Sequence, residues 1–262
     1  MPTIHELFDL RGRSALITGG SGWLGGEFAA TLAEAGASVV VTSRDRDRAA
    51  AAVAELPVGE GATHHGIALD HKSDDSIRAG FAEAVEKTGG IDILVNNGQS
   101  GTASDLTTID AEGFADHFAN PTGYFLLSRQ MRDHAVERGK PASVVLIGSM
   151  YGVVGSYPDT YEGLVPSSSV AYHAQKGAVV HMTRHLAVYW AKDNVRVNCL
   201  SPGPFPGPAA NAEMVERLNA KSPMKRMGQP HELKGALALL ASDAGSYMTG
   251  QNLVVDGGWS AW

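Results

Sequence analysis

Seven compact apolar runs recur along the chain, at 14–18, 37–42, 64–69, 91–95, 143–148, 195–200 and 253–255. Each is too short for a buried helix and is bounded by glycine, asparagine or other turn residues, so each reads as a buried strand. Helix-like segments lie between them, at 27–35, 49–56, 74–87, about 111–137, a stretch carrying Tyr172 through Thr183 and Ala191, then 211–220 and 231–241. Ser73 is the expected cap of the third of these, Gly89-Gly90 its stop, and Pro57 ends the second. Asn120-Pro121 is expected to interrupt the long helix, because proline removes a donor from the helical ladder. Residues 1–12 form a short lead-in. Continuous apolar strands alternating with helices predict an α/β protein, a doubly wound parallel sheet with helices on both faces. Ligands of such a sheet sit at the carboxyl ends of the strands, where Thr18, Asp70, Asn96, Ser149 and Pro202 fall.

At 262 residues the chain is expected to be a single domain spanning 1–262. A net charge of −7 provides no basic footprint for nucleic acid. No apolar run approaches the ~20 residues of a membrane span, and the first residues lack the pattern of a signal peptide. Cys199, the single cysteine, cannot close an intrachain disulfide, so no oxidising compartment is needed. A cytoplasmic protein with a small-molecule ligand is the expectation.

The first strand runs into Gly19-Gly20-Ser21-Gly22-Trp23-Leu24-Gly25-Gly26 and then a helix, the context a dinucleotide fingerprint requires. Gly19, Ser21, Gly22, Trp23, Leu24 and Gly25 are therefore candidate cofactor contacts in a Rossmann-type fold: glycine lets backbone approach a pyrophosphate, and the helix N-terminus offers free N–H groups. After the second strand, Ser43-Arg44 stands where an acidic residue would select the unphosphorylated ribose. A hydroxyl and a guanidinium suit a 2′-phosphate better, which favours NADP over NAD, although Asp45 is adjacent. Farther on, Tyr172 and Lys176 share a helix face at i, i+4. An ammonium near a phenol favours the phenolate, and Ser149 at a strand end could hold a substrate oxygen there. Such a group transfers a proton for an alcohol–carbonyl couple.

Over nearly its full length the chain resembles a short-chain dehydrogenase/reductase of the single-domain branch, through T-G-G-S-G-W-L-G, Asp70, N-N-G, an Asn in the long helix, Ser149, Tyr172-x-x-x-Lys176 and Pro202-Gly203. The resemblance implies roles. Tyr172 is the proton donor or acceptor and Ser149 bonds the substrate oxygen. Lys176 binds the nicotinamide ribose and lowers the Tyr172 pKa, while Asn120 holds a water in a proton relay. Gly19 and Gly25 lie on the pyrophosphate, Asp70 near the adenine, Asn97 and Gly98 near the cofactor, and Pro202-Gly203 near the nicotinamide. It also implies a homotetramer built partly from the two long helices.

The chain departs from the family pattern in three places. Trp23 replaces a glycine of the turn, N-N-G-Gln99 replaces N-N-A-G, and the Ser149–Tyr172 segment is longer by about ten residues. That insertion is expected to border the pocket. Tyr157 and Tyr161 within it, with Phe205 and Ser149, are candidate substrate contacts, and their aromatic and hydroxyl groups suit a polyhydroxylated ligand. The Pro202–Pro206 turn resembles members acting on sugars, sugar acids or polyols, such as gluconate dehydrogenases. His181 and His185 form an i, i+4 pair without the Glu of a zinc motif or a third ligand in reach, so no metal is expected. Two alternatives stand beside the oxidoreductase: a cofactor-binding regulator without turnover, and an epimerase or dehydratase that retains its cofactor.

Overall fold

The computed structural model describes residues 1–101, 106–164 and 168–261. Its centre is one parallel sheet of β1 (Ser14–Thr18), β2 (Ser38–Ser43), β3 (His65–Ala68), β4 (Ile93–Asn96), β5 (Ala142–Ile147), β6 (Val195–Pro202) and β7 (Asn252–Val255). Their spatial order is β3-β2-β1-β4-β5-β6-β7, every neighbouring pair being parallel. The chain reverses its direction of winding between β1 and β4, the place where such sheets open a crevice at the strands' carboxyl ends.

Because side chains alternate across a strand, each central strand supplies both cores. Leu16, Val40, Leu94, Val144 and Leu146 face the helices α4 (Asp74–Thr88), α5 (Ala111–Arg138) and α7 (Val170–Trp190). Ala15, Ile17, Val39, Val41, Ile93, Val95, Val145 and Ile147 face α2 (Trp23–Glu34) and α9 (Lys234–Ala241). Burial of each larger side chain contributes about 1.5–3 kcal/mol. A third, smaller cluster of Met150, Leu218, Met227 and Trp259 lies apart from the sheet and joins the segment after β5 to α8 (Ala212–Lys221).

Several element ends differ from expectation for local reasons. α2 begins at Trp23, inside the glycine turn, on Gly22 as a cap with no side-chain bond. α3 (Arg46–Ala54) begins earlier because the Asp45 carboxylate accepts the N–H groups of Asp47 and Arg48. The lead-in contains a short helix, α1 (Ile4–Phe8), closed by a Thr3–Glu6 capping box. α5 is not interrupted at Asn120-Pro121: the helix continues through it. Proline cannot donate to the carbonyl four residues back, and the Asn120 side chain takes that carbonyl instead, its Nδ2 lying 2.9 Å from His117 O. The insertion after Ser149 contributes a one-turn helix, α6 (Pro158–Tyr161).

Candidate active site

Two cavities open side by side along the carboxyl edge of the sheet. The first, about 550 Å³, is lined by Gly19, Ser21, Gly22, Trp23, Gly25, Ser43, Arg44, Asn97 and Gly98, together with Arg48, Leu69 and His71. The second, about 260 Å³, is lined by Leu24, Ser149, Tyr172, Lys176, Pro202, Gly203 and Phe205, and it shares Asn97 with the first.

The first cavity fits a dinucleotide on the chain's own geometry. Gly19 has φ +63, and a Cβ at Gly25 would lie 2.1 Å from Gly19 O, so the turn folds tightly against α2 only with glycine at both places. The start of α2 has no side-chain cap, and its first residues line the cavity, so first-turn N–H groups are available to a ligand there. Trp23 lines the cavity with its half-exposed indole beside Gly207. The N-N-G segment is fastened to β1. Thr18 Oγ1 accepts from Asn97 N at 2.9 Å and Gly98 N at 2.8 Å, and Asn97 Nδ2 donates to Thr18 O and Gly19 O.

At the far end of this cavity Arg44 is joined by Arg48, a second cation that the sequence pattern did not single out. Neither has an ion-pair partner among the described residues, whereas the neighbouring Arg46 is held by Glu83. Asp45, adjacent to Arg44, is occupied as the cap of α3. Asp70 is not brought to the wall; its carboxylate accepts from Lys72 N, and Leu69 and His71 line the cavity in its place.

In the second cavity Lys176 is buried without a carboxylate partner among the described residues. Its Nζ donates to Ile147 O at 2.8 Å and sits 5.7 Å and 5.8 Å from the ring centroids of Tyr172 and Tyr124. Burial pushes its pKa down to about 8. For Tyr172 the balance differs from the sequence expectation: burial pushes the phenol up, and the Ser149 hydroxyl, not Lys176, is the neighbour that pulls it back. Ser149 also caps the turn that follows β5, accepting from Tyr151 N at 3.1 Å.

The insertion reaches this site through one of its two tyrosines. Tyr161 Oη lies 2.6 Å from Tyr151 Oη; Tyr151 stacks on His173 at 4.5 Å, and the Tyr161 phenol lies close enough to raise the pKa of both Tyr151 and Tyr172. Tyr157 turns away, packed on Trp259 and under Lys221. α6 is clasped to α8 by Lys221 with Asp159 and by Arg217 with the carbonyls of Asp159 and Glu162. Phe205 is seated against Gly228, where a Cβ would meet its ring at 2.3 Å. His181 and His185 are exposed on α7, and among the described residues no group of three or more His, Cys, Asp or Glu side chains could hold a metal ion.

A parallel doubly wound sheet with a glycine cradle at its switch point, beside a serine, a tyrosine and a buried lysine, defines a nicotinamide-dependent oxidoreductase. The family model described as enoyl-(acyl carrier protein) reductase matches residues 22–260. The chain is similar to the D-arabinitol 2-dehydrogenase [ribulose-forming] of Scheffersomyces stipitis, 35% identical over 97% of this chain and 96% of that one. It is similar to the galactitol 2-dehydrogenase of Rhizobium johnstonii, 36% identical over 98% and 99%. Among solved structures, a gluconate 5-dehydrogenase from Burkholderia cenocepacia in complex with NADP and tartrate superposes with a TM-score of 0.88, at 30% identity over 99% of this chain and 100% of that one. The chain belongs to the short-chain dehydrogenase/reductase family and is an NAD(P)-dependent oxidoreductase acting on CH–OH groups.

Proposed function

We propose that the protein interconverts a polyol, or a sugar or sugar acid, with the corresponding carbonyl compound, with NADP preferred. The observation that carries this is the placing of Ser149, Tyr172 and Lys176 in one cavity contiguous with the dinucleotide cradle. The relatives named for arabinitol and galactitol direct the substrate class.

Bound in the cradle, NAD(P) would supply or accept the hydride. The chain's residues move the proton and hold the reacting oxygen. In the reducing direction the Tyr172 hydroxyl gives its proton to the carbonyl oxygen while the Ser149 hydroxyl donates a hydrogen bond to the same atom. Lys176 offers a positive charge beside the Tyr172 ring, which favours the phenolate left behind. Gly19, Ser21, Gly22, Trp23, Leu24 and Gly25 would hold the pyrophosphate region, Asn97, Gly98, Pro202 and Gly203 the nicotinamide end. Phe205 and Tyr161 would border the substrate. A homotetramer in the cytoplasm is the matching assembly and location; no described helix is long and apolar enough to cross a membrane.

The deciding experiment is a panel of five- and six-carbon polyols and ketoses with NADP⁺/NADPH and NAD⁺/NADH, followed by nicotinamide absorbance. Turnover of polyols but not of simple secondary alcohols supports the reading, and activity confined to acyl thioesters overturns it.

Cofactor choice is tested at Arg44 and Arg48, which line the dinucleotide cavity. Arg44→Ala with Arg48→Ala is expected to weaken NADPH binding by about 10–100-fold, the value of losing charged hydrogen bonds, while NADH affinity changes less than about threefold. Equal losses for both cofactors in a fluorescence titration would exclude a 2′-phosphate role.

At the substrate end, Tyr161→Phe removes one hydroxyl from the Tyr151–Tyr161 pair. The KM for the polyol is expected to rise about 2–10-fold at nearly constant kcat, as for one neutral hydrogen bond. An unchanged KM across the panel places Tyr161 outside the substrate's reach.

A further inference from the structure

Four buried polar side chains meet behind the wall between the two cavities, and the proposed chemistry uses none of them. Asn120, His71, His117 and Gln175 are each at least nine-tenths buried. Backbone groups set the orientation of the centre. Ser100 N donates to Asn120 Oδ1 at 3.1 Å, and Ser100 O and His117 O accept from Asn120 Nδ2 at 2.8 and 2.9 Å. With oxygen and nitrogen so assigned, the other partners follow. His71 Nε2, 2.9 Å from Asn120 Oδ1, must carry the proton. Gln175 must turn its Oε1 to Asn120 Nδ2 at 3.0 Å, and its Nε2 then donates to His117 Nδ1 at 3.3 Å. Burial pushes the His71 pKa down, so the neutral tautomer is the form present at neutral pH.

Both acceptor positions of the Asn120 oxygen are filled, and its two amide protons serve three acceptors. No position on this carboxamide is left for a water, so the side chain acts as a tie. One end of the tie is His71, in the wall of the dinucleotide cavity. The other is Gln175, the residue before Lys176. Space has been made for it: a Cβ at Gly98 would lie 2.8 Å from His71 Nδ1, and one at Gly123 would lie 1.7 Å from His71 O. The glycine at 98, where the family pattern has alanine, is thus the room that the imidazole occupies.

We propose that His71 and Gln175 are positioning residues for the reaction: together they hold the Asn120 carboxamide in one orientation, and so fasten the turn of α7 that carries Tyr172 and Lys176 to the dinucleotide-cavity wall. The proposal rests on the oxidoreductase reading for its kinetic test and stands apart from it in its spectroscopic one.

His71→Leu and Gln175→Leu keep approximate volume and remove the bonds; His71→Gln places an amide N–H where the ring Nε2–H was. In the full chain, both leucine variants are expected to lose about tenfold or more in kcat, the scale of a small misplacement of catalytic groups, with KM changed less than about threefold. The pH profile of kcat should shift, and His71→Gln should recover most of the loss. Independently of turnover, the ultraviolet titration of Tyr172, taken as the difference from Tyr172→Phe, should move in both leucine variants and return in His71→Gln. Unchanged kcat, pH profile and tyrosine titration overturn the proposal. So does a loss that follows a fall in Tm and is not rescued by His71→Gln, or a change confined to the Kd for NADPH. If the wild type turned over no substrate, the oxidoreductase reading would fail while the tyrosine titration still decided this one.

Discussion

Tyr172→Phe is expected to lower kcat for polyol oxidation about a thousandfold while NADPH affinity stays within about twofold. The substitution removes one oxygen from a residue that shares its cavity with Ser149, Lys176 and Phe205, and leaves the ring that packs near Lys176 Nζ in place. What disappears is the group that exchanges a proton with the reacting oxygen, a contribution of about 10²–10⁴ in rate. The dinucleotide cradle lies in the adjoining cavity and is built from other residues, so binding and turnover should separate. That separation also distinguishes the three readings of the chain. A dehydrogenase loses release of reduced nicotinamide along with turnover. A cofactor-binding regulator has no turnover to lose, in wild type or variant. An epimerase or dehydratase that retains its cofactor would convert substrate without releasing reduced nicotinamide at all. The measurement is steady-state kinetics beside a fluorescence titration of both proteins with NADPH; a variant with more than about a tenth of wild-type kcat removes Tyr172 from the proton-transfer role.

The sheet was legible in the chain because parallel strands buried on both faces leave continuous apolar runs, and β1 and β5 are buried along their full length. The cradle was legible because the need for glycine at 19 and 25 is a backbone property that sequence records directly. Helix starts were less so. α2 starts on a glycine, which carries no side-chain signal of a cap. The start of α3 did have its signal in Asp45, but beside Arg44 that carboxylate invited an electrostatic reading rather than a capping one. Pro121 signals a break only if its orphaned carbonyl goes unpaired; the rescue by Asn120 depends on a rotamer, which no spacing rule contains.

The residues that sequence reasoning missed share another feature. Arg48, His71, Tyr151 and Gln175 reach the site through contacts across the fold, or through a helix whose start was misplaced. For His71 a trace was present in the altered N-N-G, since a lost methyl group at 98 implies something nearby that needs its room. Within the insertion the two tyrosines part: the Tyr157 ring packs on Trp259, whereas Tyr161, at the end of α6, is brought near Tyr172.

Lys176→Met is expected to abolish measurable turnover and yet raise stability at pH 7, with Tm higher by a few degrees. In the folded protein the ammonium is buried against Tyr124 and Tyr172 with one carbonyl, Ile147 O, as hydrogen-bond acceptor, and its pKa falls from 10.5 to about 8. The sign follows from proton counting. Below pH 8 the lysine is charged in both folded and unfolded chains, and the full cost of burying the charge weighs on the fold. Between pH 8 and about 10.5 the unfolded chain binds the proton and the folded chain does not, so stability contributed by this group rises with pH. Above that range both are neutral and the cost is gone. The difference amounts to about 3 kcal/mol on the scale of 1.36 kcal/mol per pKa unit. Methionine escapes this cost but leaves Ile147 O without its donor, worth about 1–3 kcal/mol in the other direction. The net expectation at pH 7 is therefore a gain of about 1 kcal/mol, or about 2–4 °C in Tm for a chain of this size. The sharper observable is the difference between the two proteins as pH rises. Wild-type stability should climb relative to the variant from pH 8 to 10, because Lys176 is the titratable group by which the two proteins differ. Denaturant unfolding at a series of pH values checks it, and a constant difference between the proteins across that range would show that Lys176 is not held at a cost to the fold. The role proposed for Lys176, a positive charge beside the Tyr172 ring, is the use that such a cost would serve.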